Sequence, residues 1–177
     1  MQSTGMTDVR KLRKAEIKDL DGIWTIIQQA IQKRKEEGSS QWQDGYPNPS
    51  VIANDISNGY GYICLDQEDR ILAYVALIFA IEPAYEEIEG NWISDQPYAC
   101  IHRLAVNQEP YTKGIATWIM HAVEPICVES GYHSIRVDTN FDNVGMLRVF
   151  DKLGYQYCGE VFFRGAARKA YEKILSA

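Results

Sequence analysis

Residues 71–81 read I-L-A-Y-V-A-L-I-F-A-I, eleven positions without a charge or a turn former. The run is too short to span a bilayer as a helix, which takes about 18–20 apolar residues. Read as a strand, it has no polar face to give to water, so other elements must cover both of its sides. The chain around it supplies suitable cover. Ile17, Leu20, Ile23, Trp24, Ile27, Ala30 and Ile31 recur at helical spacing, and the charged run 33–37 followed by Gly38 closes that helix. Residues 60–65 form a strand that a polar turn at 66–70 joins to the apolar run, which predicts an antiparallel hairpin. Asn48-Pro49 opens a short helix through Val51, Ile52 and Ile56. Further strands are expected over 98–106, 134–139, 155–163 and 168–175, with a weak edge strand over 9–13. Helices are expected over 115–130, kinked at Pro125, and over 143–153, stopped by Gly154. Residues 41–47 and the acidic stretch 82–96 read as loops, the first with two exposed aromatics, Trp42 and Tyr46.

This order predicts one α/β domain over 1–177, with a mixed, mostly antiparallel central sheet of about seven strands and flanking helices. A net charge of −6 argues against a general nucleic-acid binder. No apolar run is long enough to cross a membrane, and the polar first ~15 residues do not resemble a signal peptide. The four cysteines, Cys64, Cys100, Cys127 and Cys158, form no CxxC pair and are expected as reduced, buried thiols, which predicts a cytoplasmic protein. No metal site is expected.

Residues 101–119 carry the chemistry: an apolar strand, a polar turn with Lys113-Gly114-Ile115-Ala116, then an amphipathic helix. The first N–H groups of a helix lack intrahelical partners and face an anion with partial positive charge. A P-loop would need GxxxxGK followed by Ser or Thr, and a dinucleotide fingerprint would need GxGxxG; the chain has neither string there. A third reading, an acyl-CoA pyrophosphate site, rests on a family resemblance; a turn that merely caps a helix is the alternative.

Here the chain resembles the GNAT acetyltransferase superfamily. Leu104, Ala105 and Val106 resemble the strand whose free backbone groups pair with the pantetheine arm. Tyr111, Thr112, Lys113, Gly114, Ile115, Ala116 and Thr117 resemble the pyrophosphate loop and the helix start after it. Asp142-Asn143, Met146, Phe150 and Lys152-Leu153-Gly154-Tyr155 resemble a second block, in which an asparagine opens a helix and a Gly-aromatic pair closes it. The match departs from the pattern at Tyr111, where Gln or Arg is usual, and at Thr112, where glycine is frequent. The resemblance implies the GNAT fold with splayed strands at the CoA site, acetyl-CoA as cosubstrate, and direct transfer to a small-molecule or peptide amine. It also allows a homodimer paired through sheet edges.

The same resemblance implies further site residues. Asn143 and Phe150 would contact the CoA arm, and a backbone N–H near Leu104 would stabilise the oxyanion. Phe150 stands where a thiol-protonating tyrosine is common, and Cys100 where a glutamate base is common. His102 lies two residues on, on the same strand face, and its ordinary pKa near 6.5 suits a base; a structural histidine is the alternative. Cys100 as a nucleophile is a weaker alternative. Trp42, Tyr46 and Trp92, with Glu86, Glu87 and Glu89, would seat the amine through cation–π and ionic contacts, unless the acidic stretch is simply solvated. An acyl-CoA-binding module without catalysis and a transferase of longer acyl chains remain open.

Overall fold

The computed structural model describes residues 10–176. The expectations for Val9 and for the first nine residues of the polar N-terminal stretch lie outside them. Among the described residues the chain runs through β1 (Lys11–Lys14), α1 (Leu20–Glu36), α2 (Pro49–Ser57), β2 (Gly61–Leu65), β3 (Ile71–Ile78), α3 (Pro83–Glu86), β4 (Glu89–Gly90) and β5 (Ala99–Val106). It continues through α4 (Ile115–Ala122), α5 (Glu124–Glu129), β6 (Ser134–Thr139), α6 (Val144–Lys152), β7 (Gln156–Phe163) and β8 (Ala166–Ile174). The strands form one sheet of eight in the order β1-β2-β3-β5-β6-β8-β7-β4, antiparallel except between β5 and β6. This is the mixed α/β architecture that the patterning predicts, with the two-residue β4 as the added strand.

The apolar run becomes β3, and both of its faces are covered. Ala73, Val75 and Leu77 pack with Ile115, Ile119 and Met120 of α4. Tyr74 turns the other way, into a cluster with Ile23, Ile27 and Ala30 of α1. The burial of both faces fixes the register, because a slip of one residue would exchange the two sets. α1 is held at its start by Asp19, which accepts from both terminal nitrogens of Arg13 at 2.9 and 3.0 Å and from the Glu16 backbone at 2.7 Å.

The helix expected over 115–130 is two helices that meet at Val123. Pro125 has no N–H to return to the preceding turn, so α4 ends before it and α5 restarts around it. The acidic stretch 82–96 is not a plain solvated loop. Its Tyr85 is fully buried, with ring centroids 5.2 Å from Trp92 and 6.2 Å from Phe163, and its hydroxyl donates to Asp138 at 2.6 Å. Glu172, buried under this segment, accepts from Ile93 N at 2.9 Å and from the hydroxyls of Ser94 and Ser134, each at 2.7 Å. Burial of one tyrosine and a satisfied buried carboxylate hold a segment that its composition assigns to solvent. The four cysteines are free and buried, as expected. No helix among the described residues is long and apolar enough to cross a membrane.

Two irregularities of β5 shape the space beside it. Its ladder to β6 contains only Ala99↔Ile135 and Cys100↔Arg136, after which the two strands part. On the other side, Ala76 pairs with His102 and Tyr74 with Ala105, so Arg103 and Leu104 together oppose the single residue Val75. This is a β-bulge, and Arg103 takes the left-handed conformation at φ 52°. The extra residue turns Leu104 and Val106 onto the face of Ile101, while Cys100 and His102 remain on the opposite face.

Candidate active site

Where β5 and β6 part, a groove of about 460 Å³ opens between β5, the start of α4 and the start of α6. Leu104, Ala105 and Val106 form one wall. Tyr111, Thr112, Lys113, Gly114, Ile115, Ala116 and Thr117 form a second, and Asn143, Gly145 and Met146 a third. All the residues expected to hold the donor therefore border one groove, except Phe150. The turn is pinned from below: Asn107 donates through Nδ2 to Ile71 O at 2.9 Å, and Gln108 N donates to Gln29 Oε1 at 2.9 Å.

Gly114 sits at the N-terminal boundary of α4 with φ +79°, and nothing lies within 4 Å of where a Cβ would stand. Its glycine is thus required by backbone conformation and not by protein packing. No Asp or Glu lines the groove, whereas Lys33, Arg34, Lys113 and Arg148 do. On a chain of net charge −6, such a cationic, acid-free groove concentrates field on an anion. Asn143 caps α6, its Oδ1 accepting from Met146 N at 3.2 Å, which leaves the amide nitrogen outside the cap.

Behind Leu104 the groove continues into a chamber of about 70 Å³, which shares Arg34, Leu104, Asn143 and Met146 with it. Ile101, Met120, Val137 and Phe150 form its apolar wall; Arg34, Tyr46, His102, Asp138, Thr139 and Arg168 form its polar one. Phe150 therefore lines the chamber, stacked 5.0 Å from Tyr171 and 5.6 Å from Tyr155. The Tyr155 hydroxyl borders neither cavity, and burial raises its pKa well above the ordinary value, so it does not replace the absent tyrosine acid.

His102 lies at the chamber wall with Nδ1 4.0 Å from Asp138 and Nε2 3.8 Å from Glu82. Both distances exceed a hydrogen bond, and Nε2 is buried without a partner. Burial disfavours the imidazolium, and the charges of Arg103 and Arg168 add to that effect. Together they outweigh the attraction of Asp138 and Glu82, so the pKa is lowered and the ring is neutral at pH 7. Cys100 shares this strand face but lies among Tyr85, Tyr98, Val161 and Ala170, bordering neither cavity. Burial pushes its thiol far up, which removes the thiolate that a nucleophile needs.

Sequence reasoning misplaces two of the aromatics. Trp42 is buried at φ 62°, not exposed; it borders the chamber with the Arg34 guanidinium 4.0 Å above its ring. Trp92 borders neither cavity: its Nε1 donates to Tyr85 O at 2.8 Å, and Arg136 lies 4.3 Å over its ring. Glu86, Glu87 and Glu89 do not line the chamber either.

The residues that sequence reasoning missed are three arginines with Asp55 and Asp138; Tyr46, which it named, meets Arg103. Arg103, at the bulge, donates to Asp55 through Nε at 2.7 Å and through Nη2, and to the Tyr46 hydroxyl at 2.6 Å. Tyr74 donates to the same Asp55 at 2.7 Å. Arg168 reaches Asp138 at 3.4 Å, and its Nε is buried without a partner. Arg34 makes only long bonds to neutral oxygens, 3.4 Å to Gln41 Oε1 and 3.3 Å to Ala30 O. Burial, joined by the charge of Arg168, outweighs the pull of Glu37 and Asp142 and lowers its pKa to about 10. No local pattern marks these residues, since a lone arginine on a helix or strand reads as solvated.

This architecture has relatives among known proteins. The family model described as Acetyltransferase (GNAT) family matches residues 26–155. A GNAT-family acetyltransferase structure from Streptococcus agalactiae is 35% identical, with a TM-score of 0.84 over 95% of this chain and 96% of that one. Two others, from Listeria monocytogenes and Bacillus cereus, are each 18% identical, with TM-scores of 0.75 and 0.64 over 94% and 96% of this chain and 95% and 99% of theirs; they share the fold. No curated protein matches the sequence.

Proposed function

The chain belongs to the GNAT acetyltransferase family, an acyltransferase family, and from that premise we propose that it transfers an acetyl group from acetyl-CoA directly to a primary amine. One observation carries the reading: an acid-free cationic groove, ending on a helix N-terminus, opens into a small chamber at the unpaired edge of β5. The groove residues fit acetyl-CoA. The first N–H groups of α4, with Lys113 and Arg148, would hold its phosphates. The free edge at Leu104–Val106 would pair with the pantetheine arm, and a backbone N–H there would stabilise the developing oxyanion.

Acetyl-CoA supplies the activated acyl carbon. The amine nitrogen forms its bond to that carbon as the carbon–sulfur bond breaks. Neutral His102, which lines the chamber, accepts the amine's proton directly or through one water. Sulfur leaves as thiolate, which is accessible for a thiol whose pKa is about 8.5. With Phe150 in the usual tyrosine position, the chain offers no tyrosine there to protonate it. Four buried free thiols accord with a cytoplasmic setting.

The test is CoA-thiol release from acetyl-CoA across a panel of primary amines, with product mass as a second readout. Release that needs both the protein and an amine is expected. Tight acetyl-CoA binding without amine-dependent release would instead make the chain a binding module.

A further inference from the structure

The chamber's charges do not balance. Its wall carries three guanidiniums, Arg34, Arg103 and Arg168, and a single carboxylate, Asp138. Arg103 is matched from behind by Asp55, which is 2% exposed. Arg168 and Asp138 offset one another at 3.4 Å, with Asp138 also accepting from Tyr85. Arg34 has no carboxylate ion-pair partner among the described residues; its contacts are Gln41 Oε1, Ala30 O and the face of Trp42. Glu37 and Asp142 act on it only from beyond ion-pair distance, so one guanidinium of this confined site has no anion in contact with it, where the field of a charge is weakly screened.

Hydrogen bonding leads to the same place. Arg168 Nε is buried and unpartnered, and Arg34 makes only long bonds to neutral acceptors. A buried N–H without an acceptor costs desolvation that a bound oxygen recovers. A guanidinium presents parallel N–H groups that match the two oxygens of a carboxylate. His102 lines the same chamber as these donors, and its Nε2 is buried without a partner. The chamber thus has an anion-seeking part and a proton-accepting part within about 70 Å³.

We propose that Arg34 and Arg168 bind a carboxylate of the acceptor, so that the acceptor is a small amino acid carrying its own anionic group. This rests on the transfer reading above and narrows its acceptor. A polyamine would bring a second positive charge against Arg34, and a peptide amine would bring an amide where the carboxylate belongs. A monoanion matches the one guanidinium that has no ion-pair partner.

The experiment compares free amino acids with their methyl esters, their amides and the corresponding decarboxylated amines, using CoA-thiol release. The free acids are expected to exceed the neutral forms in kcat/KM by at least about tenfold. Arg34→Gln and Arg168→Gln should each raise the KM of the free acid about tenfold and erase the preference over the ester; Arg168, which borders the chamber and not the groove, should leave the KM of acetyl-CoA unchanged, while Arg34, which borders both, should raise it by less than that of the acid. Arg34→Lys, which keeps the charge and loses the planar fork, should fall between. Circular dichroism establishes that each variant is folded; if Arg168→Gln is not, the Arg34 pair decides. Esters or decarboxylated amines turned over as well as the acids would overturn the proposal. So would an Arg34→Gln variant that weakens acetyl-CoA alone, which would assign the guanidinium to the donor. If no amine is acetylated although acetyl-CoA binds, the transfer reading fails by itself. Calorimetry on the CoA complex then decides: binding of amino acids but not of decarboxylated amines supports the anion site, and equal or absent binding overturns it.

Discussion

The donor groove takes most of its wall from one stretch of chain, residues 104–117, completed by the start of α6 at Asn143 and by Lys33 and Arg34 of α1, whereas the chamber draws its polar wall from α1, the 41–47 segment, β5, β6 and β8. The groove works largely through backbone: a free strand edge, a left-handed glycine and the N–H groups of a helix start. The chamber works through side chains that arrive from five places. A site made of backbone follows from local sequence, while a site made of converging side chains depends on every element that delivers one.

The largest effect on this contrast is expected from Asp55→Ala. Asp55 lies outside the chamber yet anchors Arg103 at the bulge and accepts from Tyr74. Its removal leaves a largely buried guanidinium unpaired, at a cost of about 3–5 kcal/mol, so Tm should fall by about 10 °C and transfer should be lost. A fall of less than about 2 °C in a thermal melt would mean that the backbone holds the bulge without the ion pair.

His102→Ala tests the chamber's chemistry. A drop in kcat of about 10²–10³-fold is expected, with the KM of acetyl-CoA unchanged because the groove is untouched. A loss of about threefold or less would return His102 to a structural role. The pH profile should agree. The folded ring binds a proton less readily than the unfolded chain, so the acid limb of kcat/KM should lie below the ordinary histidine value of about 6.5. Stability has the same sign: the histidine contribution is complete above about 6.5 and is lost as pH falls beneath it, where the unfolded state binds more protons. An acid limb above about pH 7 would point to another base.

Gly114→Val reverses the pattern. Open space surrounds the position, so the cost is the backbone strain of a β-branched residue at φ +79°, about 1–2 kcal/mol. The KM of acetyl-CoA should rise about tenfold while that of the acceptor stays constant; a parallel rise in both would show that the two compartments are mechanically coupled. The smallest effect expected is that of Asn143→Ala, which removes the α6 cap at about 1 kcal/mol. Asn143→Ser restores the cap, so a raised donor KM in the serine variant would assign the amide nitrogen to the donor, and a normal one would leave Asn143 as a cap alone.

Much of the fold is legible in the chain. The uncharged run 71–81 requires cover on both faces, and α1 and α4 provide it. The pattern from Leu104 to Thr117 marks the groove because each of its features acts within a few residues. The bulge is where this kind of reading stops. Strict alternation keeps Leu104 and Val106 on the face of Cys100 and His102, but the added residue at Arg103 reverses them. Nothing beside Arg103 announces this, since the left-handed turn is held by Asp55, 48 residues away. The aromatics Trp42 and Trp92 mislead for the same reason. Both stand in turn-rich, polar surroundings, and both are covered by a guanidinium from another element, Arg34 of α1 for one and Arg136 of β6 for the other.

The order of strands and helices, the central position of β3 and a helix start shaped for an anion are all written in the amino-acid sequence. They arise from periodicity, capping and glycine geometry, which are short-range. The folded chain was needed to establish that β5 leaves β6 after Cys100, that His102 is buried where its charged form is disfavoured, and that Arg34 and Arg168 share a wall with it. Burial and electrostatic pairing depend on what lies across a space, and only tertiary structure sets that.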